Sequence, residues 1–290
     1  MEYRKRQKRN RSRRLRHDSY AGTVFCVVML FAAIVYLIGI SSAGTWMAKT
    51  VVAPVFRTLG IGLSADKEVG QQVSSSIKTP VTETLSYNSK TIYALQMGVY
   101  SNPENAAKQS AALQDLGAGG YICKDNGKYR VLAACYPDES SLSAVRKQLA
   151  DEGLECSAYT FEQNAAEWIV TADENQINAI KDVMNVLLSM TDQLYTIIYT
   201  FDSEKQEVTL GITAVSLLKK EFEEKTNSLS SVGSGQTVKK LIECCESICG
   251  VLSESISYDG EDTVVFSSKL KYMHLFVTDK ICQLFRALEE

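Results

Sequence analysis

An internal repeat constrains this chain more than any other feature. Tyr93-Ala94-Leu95-Gln96-Met97-Gly98-Val99-Tyr100 returns 36 residues later as Tyr129-Arg130-Val131-Leu132-Ala133-Ala134-Cys135-Tyr136. Tyr93 matches Tyr129, Leu95 matches Val131, Gly98 matches Ala134 and Tyr100 matches Tyr136. Farther on, Leu113 matches Leu149 and Gly117 matches Gly153. Self-similarity at a fixed spacing means that one supersecondary unit is used twice. Here the unit is a strand followed by a helix.

The punctuation agrees. Ser101-Asn102-Pro103-Glu104 supplies a cap, a first-turn proline and an acid at a helix N-terminus, and Gly117 stops that helix. The second helix starts near Ser140-Ser141 and stops at Gly153. Asp125-Asn126-Gly127 reads as a tight turn joining Gly120–Lys124 to Lys128–Tyr136 in a hairpin. A last strand runs from Leu154 to about Phe161. The order strand-helix-strand-strand-helix-strand predicts an α+β domain over residues 91–161. It has an antiparallel sheet, a ferredoxin- or RNP-like layout and both helices on one face. Alternation sends Tyr93, Leu95, Met97, Val99, Tyr129, Val131, Ala133 and Cys135 towards the helices. The other face, expected to meet solvent, carries Ile92, Ala94, Gln96, Gly98, Tyr100, Arg130, Leu132, Ala134 and Tyr136.

The charge distribution divides the rest. Residues 1–20 hold nine basic side chains against Glu2 and Asp18, whereas residues 162–290 hold 11 basic against 21 acidic. Between Ala21 and Ala48 there is no charged residue, and Thr23–Ile40 is dense in Val, Ile, Leu, Phe and Met. Eighteen or more such residues read as a transmembrane helix. Tyr20 and Trp46 bracket the run as interfacial aromatics, and the positive-inside rule keeps the basic arm cytoplasmic. Ser41-Ser42-Ala43-Gly44 resembles a cleavage site, but the long arm and long apolar core favour an uncleaved anchor. The bulk of the chain is then extracytoplasmic, on a single-pass protein of the cell membrane. Residues 49–90 read as a tether, with a short amphipathic helix around Val51–Leu59 and flexible linker from Ser64 to Lys90.

Residues 162–290 show four helical stripes. The first runs from Ile177 to Phe201, and the second holds Val215, Leu218 and Phe222. The third runs from Val238 to Leu252 and the fourth from Leu270 to Leu288. Four amphipathic helices predict an all-α bundle, acting as a core with acidic faces or as a partner-binding or oligomerising module.

Composition excludes several chemistries. Only two histidines occur, His17 in the basic arm and His274 alone near the C-terminus. A His₂Glu zinc hydrolase cannot be built from them, and a Ser-His-Asp triad is implausible. No nucleophile and base stand out, so no catalytic residue, metal or cofactor is assigned and the chain is read as a non-enzyme. Residues 91–161 hold six basic and eight acidic side chains, which argues against nucleic acid on the sheet. Of eight cysteines, Cys244-Cys245-x₃-Cys249 is no metal motif and reads as core packing; disulfide pairing is not deducible.

The runs Leu95-Gln96-Met97-Gly98-Val99-Tyr100-Ser101-Asn102 and Gly127-Lys128-Tyr129-Arg130-Val131 resemble the SPOR (sporulation-related repeat) domain, and the resemblance spans residues 91–161. The basic arm, anchor and linker resemble the layout of bacterial SPOR proteins. That resemblance implies binding of septal peptidoglycan, with a preference for glycan strands stripped of stem peptides, through the open face of the sheet and without catalysis. Gln96 matches the family's first-strand glutamine, Arg130 a frequent third-strand arginine, and Tyr100 and Tyr136 the aromatic that closes each strand. Val99 stands where a small polar residue is frequent, and Ala134-Cys135 replaces a frequent Gly-Pro. Independently of the family, an amide such as Gln96 suits sugar hydroxyls, Tyr rings suit the apolar faces of sugars, and Arg130 suits a muramyl carboxylate.

The expectation is therefore a membrane-anchored glycan-binding protein of the cell envelope, acting in cell division or sporulation. Residues 162–290 would contact divisome or sporulation proteins. The competing expectation is a scaffold whose SPOR-like domain has degenerated and whose helical bundle carries the function.

Overall fold

The computed structural model describes residues 80–233 and 235–289. The basic arm, the expected membrane span at 21–48 and the tether up to residue 79 lie outside the described residues. Among those described, no helix is long and apolar enough to cross a membrane.

The expected repeat folds as read. Strands β2 (Lys90–Tyr100), β3 (Tyr121–Asp125), β4 (Lys128–Tyr136) and β5 (Ser157–Gln163) form an antiparallel sheet in the order β3-β4-β2-β5. Helices α1 (Pro103–Asp115) and α2 (Glu139–Asp151) complete the unit. Asn102 caps α1 by accepting from the Glu104 and Asn105 amides at 2.7 and 3.3 Å. Asp138 does the same for α2 with the Ser141 amide at 2.8 Å. The β3–β4 hairpin turns through Asn126 and Gly127 at φ +50° and +72°. These values fit a type I′ turn, whose two left-handed positions favour Asn-Gly.

Two strands were not foreseen. β1 (Val81–Tyr87), in the stretch read as the end of the linker, pairs with β6 (Ala166–Ala172), and their register continues that of β2 with β5. The result is one antiparallel arm, interrupted at residues 88–89 and 164–165, that leads from the sheet to the helices. Only the second half of β1 carries a strand signal: Leu85 and Tyr87 alternate with Thr84, Ser86 and Asn88, while Glu83 and the exposed Val81 break the pattern. Leu85 and Trp168 lie opposite each other and enter the helical core, where Tyr87 and Phe285 pack edge-on at 6.0 Å.

The four expected helices are α3 (Glu174–Ser203), α4 (Val208–Thr226), α5 (Gln236–Ile256) and α6 (Thr263–Glu289). A capping box of Asp173 and Gln176 opens α3. The helices share one core that includes Met184, Leu187, Phe222, Leu241, Ile248, Leu252, Phe266 and Phe285.

They do not form a separate bundle, nor does the sheet leave one face to solvent. Leu275 and Cys282 of α6 are buried in a cluster with Ile92, Ala94, Tyr121, Cys123, Leu132, Cys135 and Phe161 of the sheet. Polar contacts reinforce the seam. Tyr121 donates to the buried Asp279 at 2.7 Å, Ser268 donates to the Ala118 carbonyl at 2.8 Å, and Lys90 is paired with Asp192 at 2.7 Å. The sheet is thus sandwiched between α1/α2 and α6, and the described residues form one compact unit. The physical reason is that α6 is apolar on two sides. Leu270, Met273, Val277 and Phe285 belong to the helical core, while Leu275 and Cys282 belong to the sheet. Such a helix needs two partners.

Candidate functional site

Of the four residues singled out as glycan contacts, the structure brings two together. Arg130 Nη1 donates to Gln96 Oε1 at 2.9 Å, and Gln96 Nε2 donates to Ser157 Oγ at 2.6 Å. Arg130 Nε donates to Asp125 Oδ2 at 2.9 Å, and its guanidinium lies over the Tyr159 ring, 5.3 Å from the centroid. Gln96 is 8% exposed, and the Arg130 side chain is 25% exposed. Ser157, Asp125 and Tyr159 were not singled out in the sequence. Their link to Gln96 and Arg130 comes from strand pairing: β5 sets Ser157 opposite Gln96, and the hairpin brings Asp125 back beside Arg130.

This network has chemical capacity left. A guanidinium carries five N–H donors, of which the bonds to Gln96 and Asp125 use two. Asp125 offsets the Arg130 charge, so a second carboxylate arriving here competes with an internal one. Burial, followed by the neighbouring Cys123, pushes the Tyr159 hydroxyl above its ordinary range, so it is a neutral donor or acceptor at physiological pH.

Tyr100 and Tyr136 are elsewhere, which corrects their assignment to the open face. The β2–β4 register slips between Ala94 and Gln96 and again between Gln96 and Gly98. Each slip reverses which residues face which side. Tyr100 therefore packs with Ala106, Leu113 and Val131 on the α1 side, and Tyr136 packs with Leu95, Ala133 and Leu142 on the α2 side. Cys135, expected towards α1 and α2, faces α6 instead. Gly98 lies under the Tyr100 ring: a Cβ there would meet that ring at 2.7 Å, so glycine lets it close down. Val99 is 45% exposed.

All seven described cysteines are free. Burial pushes Cys123 up to about 11 and Cys244 up to about 12, which keeps them as thiols packed in the core. Among the described residues no group of three or more His, Cys, Asp or Glu is placed to hold a metal ion.

Residues 89–160 match the family model of the SPOR domain. That stretch is thus similar to the SPOR domain. Among solved structures, the chain is similar to the solution structure of the peptidoglycan-binding domain of the B. subtilis cell wall lytic enzyme CwlC. That likeness has 14% identity and a TM-score of 0.22, and covers 31% of this chain and 96% of that one. No curated protein matches the chain.

Proposed function

We propose that this protein is a non-enzymatic, membrane-anchored binder of peptidoglycan that acts in cell division or sporulation. Residues 21–48 would supply the anchor. The observation that carries the reading is the SPOR match over residues 89–160. The part of the sheet that remains within reach, Arg130 and the exposed Val99 beside the buried Gln96, supports it chemically. Gln96 can serve sugar hydroxyls, and the spare donors of Arg130 can serve the carboxylate of a muramyl residue that has lost its peptide. Denuded glycan is therefore the preferred ligand in this reading.

One observation favours a second reading. With α6 seated on Ala94, Leu132 and Phe161, a glycan strand has only the margin of that face to lie on. In the second reading the SPOR domain no longer binds wall, and the molecule is a scaffold acting through protein contacts of its helical region.

The test is retention of the full chain, solubilised in detergent, on insoluble sacculi with and without amidase treatment. A Gln96→Ala, Arg130→Ala double variant runs beside it. Retention that rises after peptide stripping and drops in the variant supports wall binding. No retention on either wall favours the scaffold.

A further inference from the structure

Beside the end of β4, helices α3 and α6 enclose a cleft of about 290 Å³. That lies near the low end of the roughly 300–1,000 Å³ of small-molecule sites and gives room for about one ring system. Its walls include Tyr136 from β4, Tyr195, Tyr199 and Asp202 from α3, and Lys271 from α6. Nothing in the wall-binding reading of Gln96 and Arg130 uses this place.

Three features define what it can hold. The first is an aromatic platform. Tyr195 and Tyr199 stand one helical turn apart with rings stacked at 6.2 Å and an interplanar angle of 27°, and Tyr199 is 62% exposed. A large aromatic held that open on a regular helix contributes little to the core. The second is neutral hydroxyls. Burial pushes the Tyr136 hydroxyl up to about 12 and raises that of Tyr195, so both can donate and accept without charge. The third is a cancelled charge. Lys271 Nζ lies 2.8 Å from Asp202 Oδ2 and also donates to Ser267 Oγ and the Gly117 carbonyl. The lysine is thus committed, and an anionic ligand would have to break that pair. A ligand without hydroxyls would leave this polar rim unmatched.

The chemistry that matches an exposed aromatic face, a rim of neutral hydroxyls and a neutral ion pair is an uncharged ring with one apolar face and hydroxyls around its edge. We propose that this cleft binds a pyranose unit of a glycan, with Tyr199 as the stacking platform, Tyr136 and Tyr195 serving its hydroxyls, and the Asp202 carboxylate, held by Lys271, accepting from them. The proposal rests on the wall-glycan reading and adds to it a sugar subsite built by the helical region. It gives residues 162–290 a share in carbohydrate recognition.

The test is calorimetric titration of the full chain in detergent with the tetramer of N-acetylglucosamine, a wall-type sugar that lacks peptide and carboxylate. The expected result is saturable binding that Tyr199→Ala weakens by about ten-fold or more and Tyr199→Phe preserves, because stacking needs the ring and not the hydroxyl. Tyr199 is exposed, so the melting temperature of both variants should match the wild type. Sacculus retention is measured on the same variants. Equal tetramer affinity in Tyr199→Ala and wild type overturns the cleft, and retention on sacculi then shows that wall binding stands without it. Absence of tetramer binding in the wild type overturns the cleft as well. Tyr199-dependent tetramer binding without sacculus retention supports the cleft and counts against the wall.

Discussion

Replacing Leu275 by Ala tests the central structural claim, that α6 belongs to the sheet as much as to the other helices. Leu275 is fully buried in one cluster with Ile92, Ala94, Leu132 and Phe161. The substitution removes about three methylene-sized groups, worth about 0.8 kcal/mol each in transfer from water. The cavity left behind adds to that, which brings the loss to about 2–5 kcal/mol. With a urea dependence of about 2–3 kcal/mol per molar, the midpoint should fall by roughly 1 M or more. Hydrogen exchange read by mass spectrometry decides where the loss is felt. Peptides from β2 and β4 and peptides from α3 and α5 should lose protection together, because they share one cooperative unit. If the sheet peptides keep wild-type protection while the helical ones lose theirs, α6 is a member of the bundle alone. The face of the sheet would then be open in solution, and the argument for its coverage would be wrong.

Two further predictions concern buried polar groups on α6. His274 is 3% exposed, and burial lowers its pKa from 6.5 to about 4. The unfolded chain therefore binds a proton that the folded one refuses, so stability is full above pH 6.5 and falls as the pH drops towards 4, by on the order of 3 kcal/mol. Thermal melts at pH 7, 5 and 4 should show this fall, and His274→Gln should flatten it; an unchanged acid slope in that variant would assign the effect to other groups. Tyr121→Phe deletes the hydroxyl that donates to the buried Asp279 at 2.7 Å and should cost about 1–3 kcal/mol in urea unfolding. A cost below about 0.5 kcal/mol would mean that the carboxylate finds its donors elsewhere.

The repeat at residues 91–161 was legible because its signals are local. The Asn102 cap, the Asn126-Gly127 turn and the stops at Gly117 and Gly153 act within a few residues of themselves. The strands and helices they bound appear within one to three residues of the expected places. Gln96 and Arg130 were legible as neighbours because strand alternation sends both to the same face of the sheet. Tyr100 and Tyr136 were misplaced because strict alternation assumes an unbroken ladder. The two register slips between β2 and β4 depend on how the strands meet, and neither strand alone announces them.

The covering of the sheet could have been suspected. Ile92, Ala94 and Leu132 on the supposed solvent face are apolar, and α6 carries Leu275 and Cys282 outside its main stripe. What the chain alone determined is the strands and helices of the repeat and the four C-terminal helices, since caps, turns and periodicity are written in neighbouring residues; β1 and β6 became evident only through their pairing. What only the tertiary structure decided is which elements share a core. Tyr121 and Asp279 meet across 158 residues of chain, and Leu132 and Leu275 are nearly as remote. The hydrophobic effect is non-directional: it dictates that two apolar faces be covered and leaves it to shape and chain connectivity to choose that they cover each other.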